Sequence, residues 1–253
     1  MSARDDDRRV PPSRPVALVV ASTLAVGGLL VSSITGLLGL LVGALAGSGA
    51  DPDAVAPVLV GVLLVAAEAG FVVIGYAFRQ SDDGASIPID WLPSGGPVAR
   101  DAVLVGAATL GLVAVNRAAF WLGSLVDIDP VTAVGAPEEL SVAMLAFMIL
   151  AMLVAVGPAE EYLFRGVIQG YLRASFSAQG AIGLSAVLFA VVHLPNLVAA
   201  PESGVVSIPV WLVIGVVLGW LYEHTASLLV PVAVHGIYNV VVISLLFAEQ
   251  GVV

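Results

Sequence analysis

The chain has 253 residues, of which 59% are hydrophobic and only 11% charged, and its mean hydropathy is +1.05. Soluble domains carry about a quarter charged residues, so this composition excludes an ordinary soluble domain and indicates several membrane crossings. The net charge of −10 argues against the basic patch that nucleic-acid binding requires, and the absence of cysteine excludes disulfides, thiolate metal sites and cysteine nucleophiles.

The first 15 residues are polar and mix arginine with aspartate. The apolar run that follows is too long to be the core of a signal peptide. We therefore expect a disordered cytosolic tail over residues 1–15 and a single transmembrane domain over residues 16–253.

Apolar runs of about 20 residues, the length that crosses a bilayer as a helix, recur through the rest of the chain. The predicted spans are residues 16–46, 54–78, 102–126, 140–173, 181–198, 208–222 and 227–247. In the fourth span we expect a kink at Gly157-Pro158, because proline interrupts helical hydrogen bonding. The fold class is therefore all-α, a polytopic bundle of seven to eight membrane-spanning helices, with the eighth crossing arising from a split first run or a re-entrant segment.

Arginine is concentrated on one side of the predicted bundle. The tail is arginine-rich, and Arg79, Arg100 and Arg173 follow or precede spans on the same side, whereas the alternate loops are acidic or lack arginine. By the positive-inside rule, this distribution predicts a multi-pass protein of the cell membrane with a cytosolic N-terminus.

Three groups of polar residues interrupt the apolar runs of the C-terminal half. They contain Glu160, His193 and His235, which lie about 14–20 Å from the predicted cytosolic ends of their helices at about 1.5 Å per residue. Ionisable residues at this depth are costly in lipid and tend to mark a working site. The similar depth of the three groups predicts that they meet.

The first group supplies two carboxylates with different surroundings. Glu161 and Arg165 are four residues apart and share a helix face, so Arg165 can compensate the charge of Glu161. Glu160 points about 100° away from its neighbour at 3.6 residues per turn and is the candidate general base for a water molecule.

The downstream groups supply the remaining functions that hydrolysis needs. His193 can share the water molecule or protonate the leaving amine, and His235 and Asn239, which share a helix face, can stabilise an oxyanion. Glu160, His193 and His235 also form a two-histidine, one-carboxylate set suited to a divalent metal such as zinc, so metal-dependent and metal-free mechanisms both stay open.

The polar groups follow three motifs in a fixed order. These are Glu-Glu-x-x-x-Arg at Glu160, Glu161 and Arg165, Phe-x-x-x-His at Phe189 and His193, and His-x-x-x-Asn at His235 and Asn239. The ordered triple resembles that of the CAAX protease and bacteriocin-processing (CPBP) family of intramembrane proteases, type II CAAX prenyl endopeptidases among them, over about residues 140–247. The resemblance implies an endopeptidase in which Glu160 and His193 activate water and the last two motif residues lie near the oxyanion. It also implies a membrane-associated protein or peptide as substrate, in some members a prenylated CAAX protein, and a metallo- or glutamate-type mechanism.

Two other functions stay open at this point. The same acids and histidines can relay protons in an ion-coupled transporter, which inverted repeats would favour, although none is evident. A catalytically silent immunity or scaffold protein of the membrane can also keep the same fold.

Three further residues carry structural expectations. Glu68 in the second span and Arg117 in the third lie at membrane depth, where isolated charges are costly, so we expect them to approach one another as partners. Phe189 is expected to pack against the site rather than to take part in the chemistry.

Overall fold

The computed structural model describes residues 11–92, 98–128, 130 and 141–253, apart from the side chains of Pro52 and Asp53. Every regular element among these residues is helical, which confirms the predicted fold class. The helices are α1 (Arg14–Ala46), α2 (Pro52–Arg79), α3 (Asp82–Ala85), α4 (Val98–Ser124), α5 (Val142–Leu172), α6 (Ala178–Val192), α7 (Gly204–Thr225) and α8 (Leu229–Glu249).

Within the described ranges, six helices are long and apolar enough to cross a bilayer, namely α1, α2, α4, α5, α7 and α8. The protein is therefore a multi-pass membrane protein. Its centre is α5, where Leu163, Phe164, Arg165, Val167 and Ile168 are fully buried. In contrast, α1 exposes leucine and valine side chains along its length, as a lipid-facing helix does.

The fifth predicted span is wrong at its C-terminal end, because α6 ends at Val192 rather than at residue 198. Proline lacks an amide hydrogen and disfavours helical geometry in the residue before it, so Pro195 prevents α6 from continuing. The chain proceeds through two short 3₁₀ turns, Leu194–Leu197 and Pro201–Ser203, before α7 begins. His193 consequently caps the C-terminal end of a helix instead of lying inside one.

The expected interruption of the fourth span takes the form of a change in helical geometry. Two stretches of α5, Met152–Val156 and Tyr162–Gln169, are π-helical and flank the α-helical turn Gly157–Glu161. The Gly157 amide donates to the Met152 carbonyl, five residues back, so the wider turn accommodates the missing donor of Pro158. π-Helical turns occur frequently at functional sites.

Polar contacts identify the two ends of the bundle. At one end, Arg14 donates to the Ser175 carbonyl and Arg173 pairs with Glu223. We call this the arginine-rich end, and it comprises Arg14, Arg79, Arg100 and Arg173. At the opposite end, Arg117 of α4 pairs with Glu249 of α8 at 2.7 Å. The start of α1 and the end of α8 therefore lie at opposite ends of the bundle.

The predicted approach of Glu68 to Arg117 is wrong. Arg117 pairs with Glu249, and both side chains are about half exposed, at 42% and 47%. Glu68 is buried on α2 and lies near Glu160 instead. The reason is that Arg117 is long and close to the end of α4, so its charge can reach the surface without a buried partner.

Most of the predicted tail, residues 1–10, lies outside the described residues. Of the remainder, residues 11–13 precede α1, and the Ser175 hydroxyl donates to the Pro12 carbonyl. This contact joins the start of the described chain to the turn that follows α5.

Candidate active site

The site begins with a close crossing of α5 and α8. A Cβ atom added to Gly157 would lie 3.2 Å from both the Gly236 nitrogen and the Val232 carbonyl oxygen. Glycine, which has no Cβ atom, allows two helix backbones to approach this closely without displacement. Glu160 lies one turn after Gly157, and His235 precedes Gly236, so the crossing brings the first and last polar groups of the sequence together.

Glu161 is the hub of the buried hydrogen bonds. It is fully buried, and its Oε1 accepts from Arg165 Nη1 at 2.9 Å and lies 2.8 Å from His235 Nδ1. Arg165 is also fully buried and donates through Nη2 to the Gly215 carbonyl of α7 at 3.1 Å. Its guanidinium carbon lies 4.8 Å from the centre of the Phe189 ring. The structure thus brings the predicted Glu161–Arg165 pair together and adds His235 to it.

These bonds define what His235 can do. An ionised carboxylate only accepts hydrogen bonds, so the His235 Nδ1–H donates to Glu161. The other ring nitrogen, Nε2, then faces Glu160, whose Oε2 is 3.9 Å away. Glu160 is 6% exposed, and its Oε2 has no hydrogen-bond partner in the part of the chain that the structure describes. Glu161 is therefore engaged in structural hydrogen bonds, whereas Oε2 of the adjacent Glu160 is available to bind a ligand or a water molecule.

His193 reaches the site from the C-terminal end of α6. Its Nδ1 lies 2.7 Å from the Phe189 carbonyl oxygen and donates to it, which leaves a lone pair on Nε2. The Phe189 ring packs against the imidazoles of His193 and His235, with centroid distances of 4.6 and 5.8 Å. Trp211 of α7 also packs against His193, at 5.4 Å. Phe189 therefore holds both imidazoles in place, in agreement with its expected packing role.

A cavity of about 580 Å³ joins these groups, a volume within the usual range for ligand sites. Four of the six predicted site residues line it: Glu160, His193, His235 and Asn239. Glu161 and Arg165 lie behind this wall. Much of the rest of the lining is apolar and comes from several helices, including Leu29, Leu37, Leu63, Leu64, Met152, Val156, Val210, Ile214, Val242 and Ile243.

The cavity also contains polar residues that the sequence reasoning did not assign to the site. Glu68 of α2 and Asn116 of α4 line it, and both are buried. Glu68 Oε2 and Asn116 Oδ1 lack hydrogen-bond partners among the residues described. Their polarity at membrane depth was visible in the sequence, whereas the direction in which each helix face points depends on the tertiary packing.

The three candidate metal ligands line the same cavity. Over the described ranges, no group of three or more histidine, cysteine, aspartate or glutamate side chains lies close enough together to hold a metal ion as arranged. His193 and His235 are each engaged through Nδ1, by the Phe189 carbonyl and the Glu161 carboxylate, and this is how a histidine that binds zinc through Nε2 is usually oriented. The chemistry of the donor set therefore fits a metal, and metal-dependent and metal-free mechanisms both stay open.

A family model matches the part of the chain that contains the site. Residues 142–241 match the family model of Rce1-like proteins, described as type II CAAX prenyl endopeptidase Rce1-like. The matched segment runs from the start of α5 into α8 and contains all six predicted site residues, so the resemblance read from the motifs is confirmed. No curated protein and no solved structure gives a significant match to the chain.

Proposed function

We propose, on the premise that the chain belongs over residues 142–241 to the Rce1-like type II CAAX prenyl endopeptidase family, that this protein is a membrane-embedded endopeptidase. It hydrolyses a peptide bond of a membrane-associated protein or peptide, and a prenylated CAAX sequence is the first substrate to test. The observation that carries the proposal is the single cavity shared by Glu160, His193, His235 and Asn239.

Glu160 is the proposed general base. Its Oε2 is free of hydrogen bonds to described residues, and the carboxyl group lines the cavity where substrate and water must enter. His193 presents the lone pair of Nε2, because its Nδ1–H is bonded to the Phe189 carbonyl. A water molecule between the two donates one hydrogen to Glu160 and the other to His193, and its oxygen attacks the substrate carbonyl carbon.

His235 and Asn239 are proposed to stabilise the oxyanion that this attack creates. Asn239 lies one turn after His235 on α8 and offers a side-chain amide donor. His235 must carry a proton on Nε2 to donate, since its Nδ1–H is engaged by Glu161. The Glu161 carboxylate fixes the orientation of the ring, and Arg165 pairs with the same carboxylate oxygen. Donors fixed in this way in a site shielded from water stabilise developing charge far more than they do in water.

The apolar walls of the cavity support a lipid-linked substrate. Leu29 and Leu37 of α1 face the same cavity as Leu63 and Leu64 of α2. An apolar chain attached to the substrate gains free energy by occupying such a surface. The peptide backbone beside it is then held against Glu160.

The first prediction concerns the base and its partner. Glu160→Gln and His193→Ala are expected to abolish cleavage of a farnesylated CAAX peptide, because each removes an acceptor for the attacking water. The measurement is product formation by the purified protein, followed by mass spectrometry, with and without a chelator.

The matched control for Glu160→Gln is Glu249→Gln, which makes the same change at the opposite end of the bundle. This control and both site variants are expected to insert in the membrane normally, and the control is expected to retain wild-type cleavage. Full activity in Glu160→Gln or His193→Ala would rule out the assignment. Cleavage that persists in the presence of the chelator supports the glutamate-type mechanism. Cleavage that is lost with the chelator and restored by added zinc would indicate a metal-dependent mechanism.

A further inference from the structure

The structure contains a second cavity that the proposed chemistry does not use. It has a volume of about 550 Å³ and lies at the arginine-rich end of the bundle, between the chain segment after α2 and the C-terminal ends of α5 and α7. We call it the acidic cavity, because Asp83, Asp90 and Glu223 line it. Glu223 pairs at 3.1 Å with Arg173, which also lines the cavity. Neither Asp83 nor Asp90 forms an ion pair with another described residue, so both carboxylates can bind a cationic ligand.

A buried hydroxyl group in the lining of the acidic cavity also lacks a partner. Tyr171 lines the cavity and is 4% exposed, and its Oη has no hydrogen-bond partner among the residues that the structure describes. Asp83 is close enough for its charge to act on this hydroxyl group. A buried polar atom without a partner is costly, and a ligand in the cavity that supplies a hydrogen bond removes the cost.

The lining of the acidic cavity defines the chemistry of a ligand. Carboxylates and a hydroxyl oxygen accept hydrogen bonds, and the carboxylates also attract positive charge. Over the described ranges, no acids or histidines are grouped closely enough to hold a metal ion as arranged. The set therefore fits a cation with several N–H donors, namely an arginine guanidinium or a lysine ammonium group.

The distance between the two cavities along α5 indicates which part of a substrate can carry this cation. Glu160 lines the first cavity and Tyr171 the acidic cavity, and eleven residues separate them, which is about 16 Å at about 1.5 Å per residue. An extended peptide covers this distance with about five residues. In a CAAX sequence only three residues follow the modified cysteine, whereas basic residues usually precede it. The cation therefore belongs to the part of the substrate before the scissile bond.

We propose that the acidic cavity binds the side chain of an arginine or lysine about five residues before the scissile bond. The inference rests on the proposed endopeptidase function. It adds a specificity site at the cytosolic end of the bundle, where the soluble part of a membrane-associated substrate lies.

The test uses the full-length protein and a series of farnesylated CAAX peptides in neutral detergent, which has no anionic surface to attract a basic peptide. Each peptide carries one arginine at a different distance before the cysteine, and a neutral peptide carries glutamine instead. We expect kcat/KM to be highest with the arginine about five residues before the cysteine. Glutamate at that position should lower kcat/KM below the value for the neutral peptide, and added salt should reduce the preference for arginine.

The first variant combines Asp83→Asn with Asp90→Asn. Both side chains are exposed, so the pair is expected to raise KM for the best arginine peptide by roughly 3- to 20-fold, the size of two exposed charge pairs. The value of kcat should not change, because this contact is made equally in the ground state and the transition state. Unchanged cleavage of the neutral peptide shows that the variant is folded. Glu249→Gln, at the opposite end, should match the wild type on every peptide.

The second variant, Tyr171→Phe, removes only the hydroxyl group without a partner. It is expected to lower kcat/KM for the best arginine peptide by roughly 2- to 10-fold and to leave the neutral peptide unaffected. Its matched control is Tyr76→Phe, since Tyr76 is 61% exposed on α2.

Three outcomes would overturn the assignment of the acidic cavity. One is equal cleavage of all peptides by the wild type, and another is an arginine preference that the aspartate variant retains. The third is a preference that appears only after Arg8 and Arg9 are both changed to glutamine, which would assign the cavity to the chain's own tail. In each case the proposed endopeptidase function stands. A wild-type protein that cleaves none of the peptides contradicts the proposed function itself, and the specificity site falls with it.

Discussion

One carboxylate oxygen, Glu161 Oε1, holds both Arg165 and His235. The side chains of all three residues are at most 5% exposed, so their charges are removed from water and depend on one another. Removing one member of such a unit leaves the others buried without a partner, which is much more destabilising than replacing the whole unit.

The residue-scale prediction follows from this dependence. Glu161→Gln is expected to lower the free energy of unfolding by about 3–5 kcal/mol, because Arg165 stays charged and buried without its anion. It should also reduce cleavage, because His235 loses the acceptor that fixes its ring. Unfolding in detergent, followed by thermal or denaturant titration, measures the first effect.

The exposed Arg117–Glu249 pair provides the control for this measurement. Glu249→Gln removes one partner of an ion pair whose side chains are 42% and 47% exposed, and should cost about 0–1 kcal/mol. Similar losses of unfolding free energy in Glu161→Gln and Glu249→Gln would show that Glu161 does not compensate the buried charge of Arg165.

Motif spacing selected six candidate residues, four of which line one cavity, but it did not select all of their neighbours. The four-residue spacing of Glu161 and Arg165 fixes a shared face within one helix, so that pair could be derived. Glu68 and Arg117 were expected to meet because both are charged at similar depth. Depth along a helix does not specify the direction of a side chain, and the packing of α2 on α5 turned Glu68 towards Glu160 instead.

At the scale of helices, the geometry of the site depends on how closely α5 approaches α8. Gly157 faces the backbone of α8 at Gly236, and the polar contacts of Glu160 and Glu161 with His235 lie next to that crossing. Backbone atoms on both sides cannot rotate away as a flexible side chain can. A methyl group at this point requires the facing backbone to shift by a few tenths of an ångström.

Gly157→Ala is accordingly expected to lower cleavage by roughly 10- to 100-fold, because small displacements of catalytic groups have effects of this order. The matched control is Gly236→Ala at the same crossing, where the nearest atoms to a new Cβ are 3.4 Å away, at ordinary contact distance. The measurement is kcat/KM for both variants in the same membrane preparation. Equal activities would contradict the role of the crossing.

Hydropathy predicted where the helices lie better than where they end. The apolar run continues past Val192, so the predicted fifth span included residues that do not belong to α6. Pro195 was the signal for the end, and it outweighs the apolar character of its neighbours because it removes a donor from the helix. The π-helical turns of α5 could not be predicted, since they depend on which carbonyl each amide meets once the helix is packed.

At the scale of the whole molecule, the distribution of charge defines a direction across the membrane. Arg14, Arg79, Arg100 and Arg173 share one end of the bundle, and Arg117 is near the other. An excess of arginine marks the cytosolic side of membrane proteins. We therefore expect the start of α1 to face the cytosol and the end of α8 to face outward.

The absence of cysteine makes this topology directly measurable. Ser86, exposed at the arginine-rich end, and Ser48, exposed beyond the end of α1, can each be changed to cysteine in an otherwise unreactive chain. A membrane-impermeant maleimide should label Ser48→Cys in intact cells and Ser86→Cys only after the membrane is opened. The reverse pattern would indicate the inverted orientation. The cysteine-free parent protein is the control for non-specific labelling.

The early end of α6 also has a consequence for the surrounding lipid. Its 15 residues extend about 22 Å, well short of the roughly 30 Å of a typical hydrocarbon layer. Val187 and Val191 face outward on this helix, and the exposed acid Glu202 follows it. The apolar surface that acyl chains can contact on this flank is therefore short. A bilayer responds to such mismatch by thinning locally. We therefore expect headgroups and their hydration to come closest to His193 on this flank, which would shorten the route of the water that the proposed hydrolysis consumes.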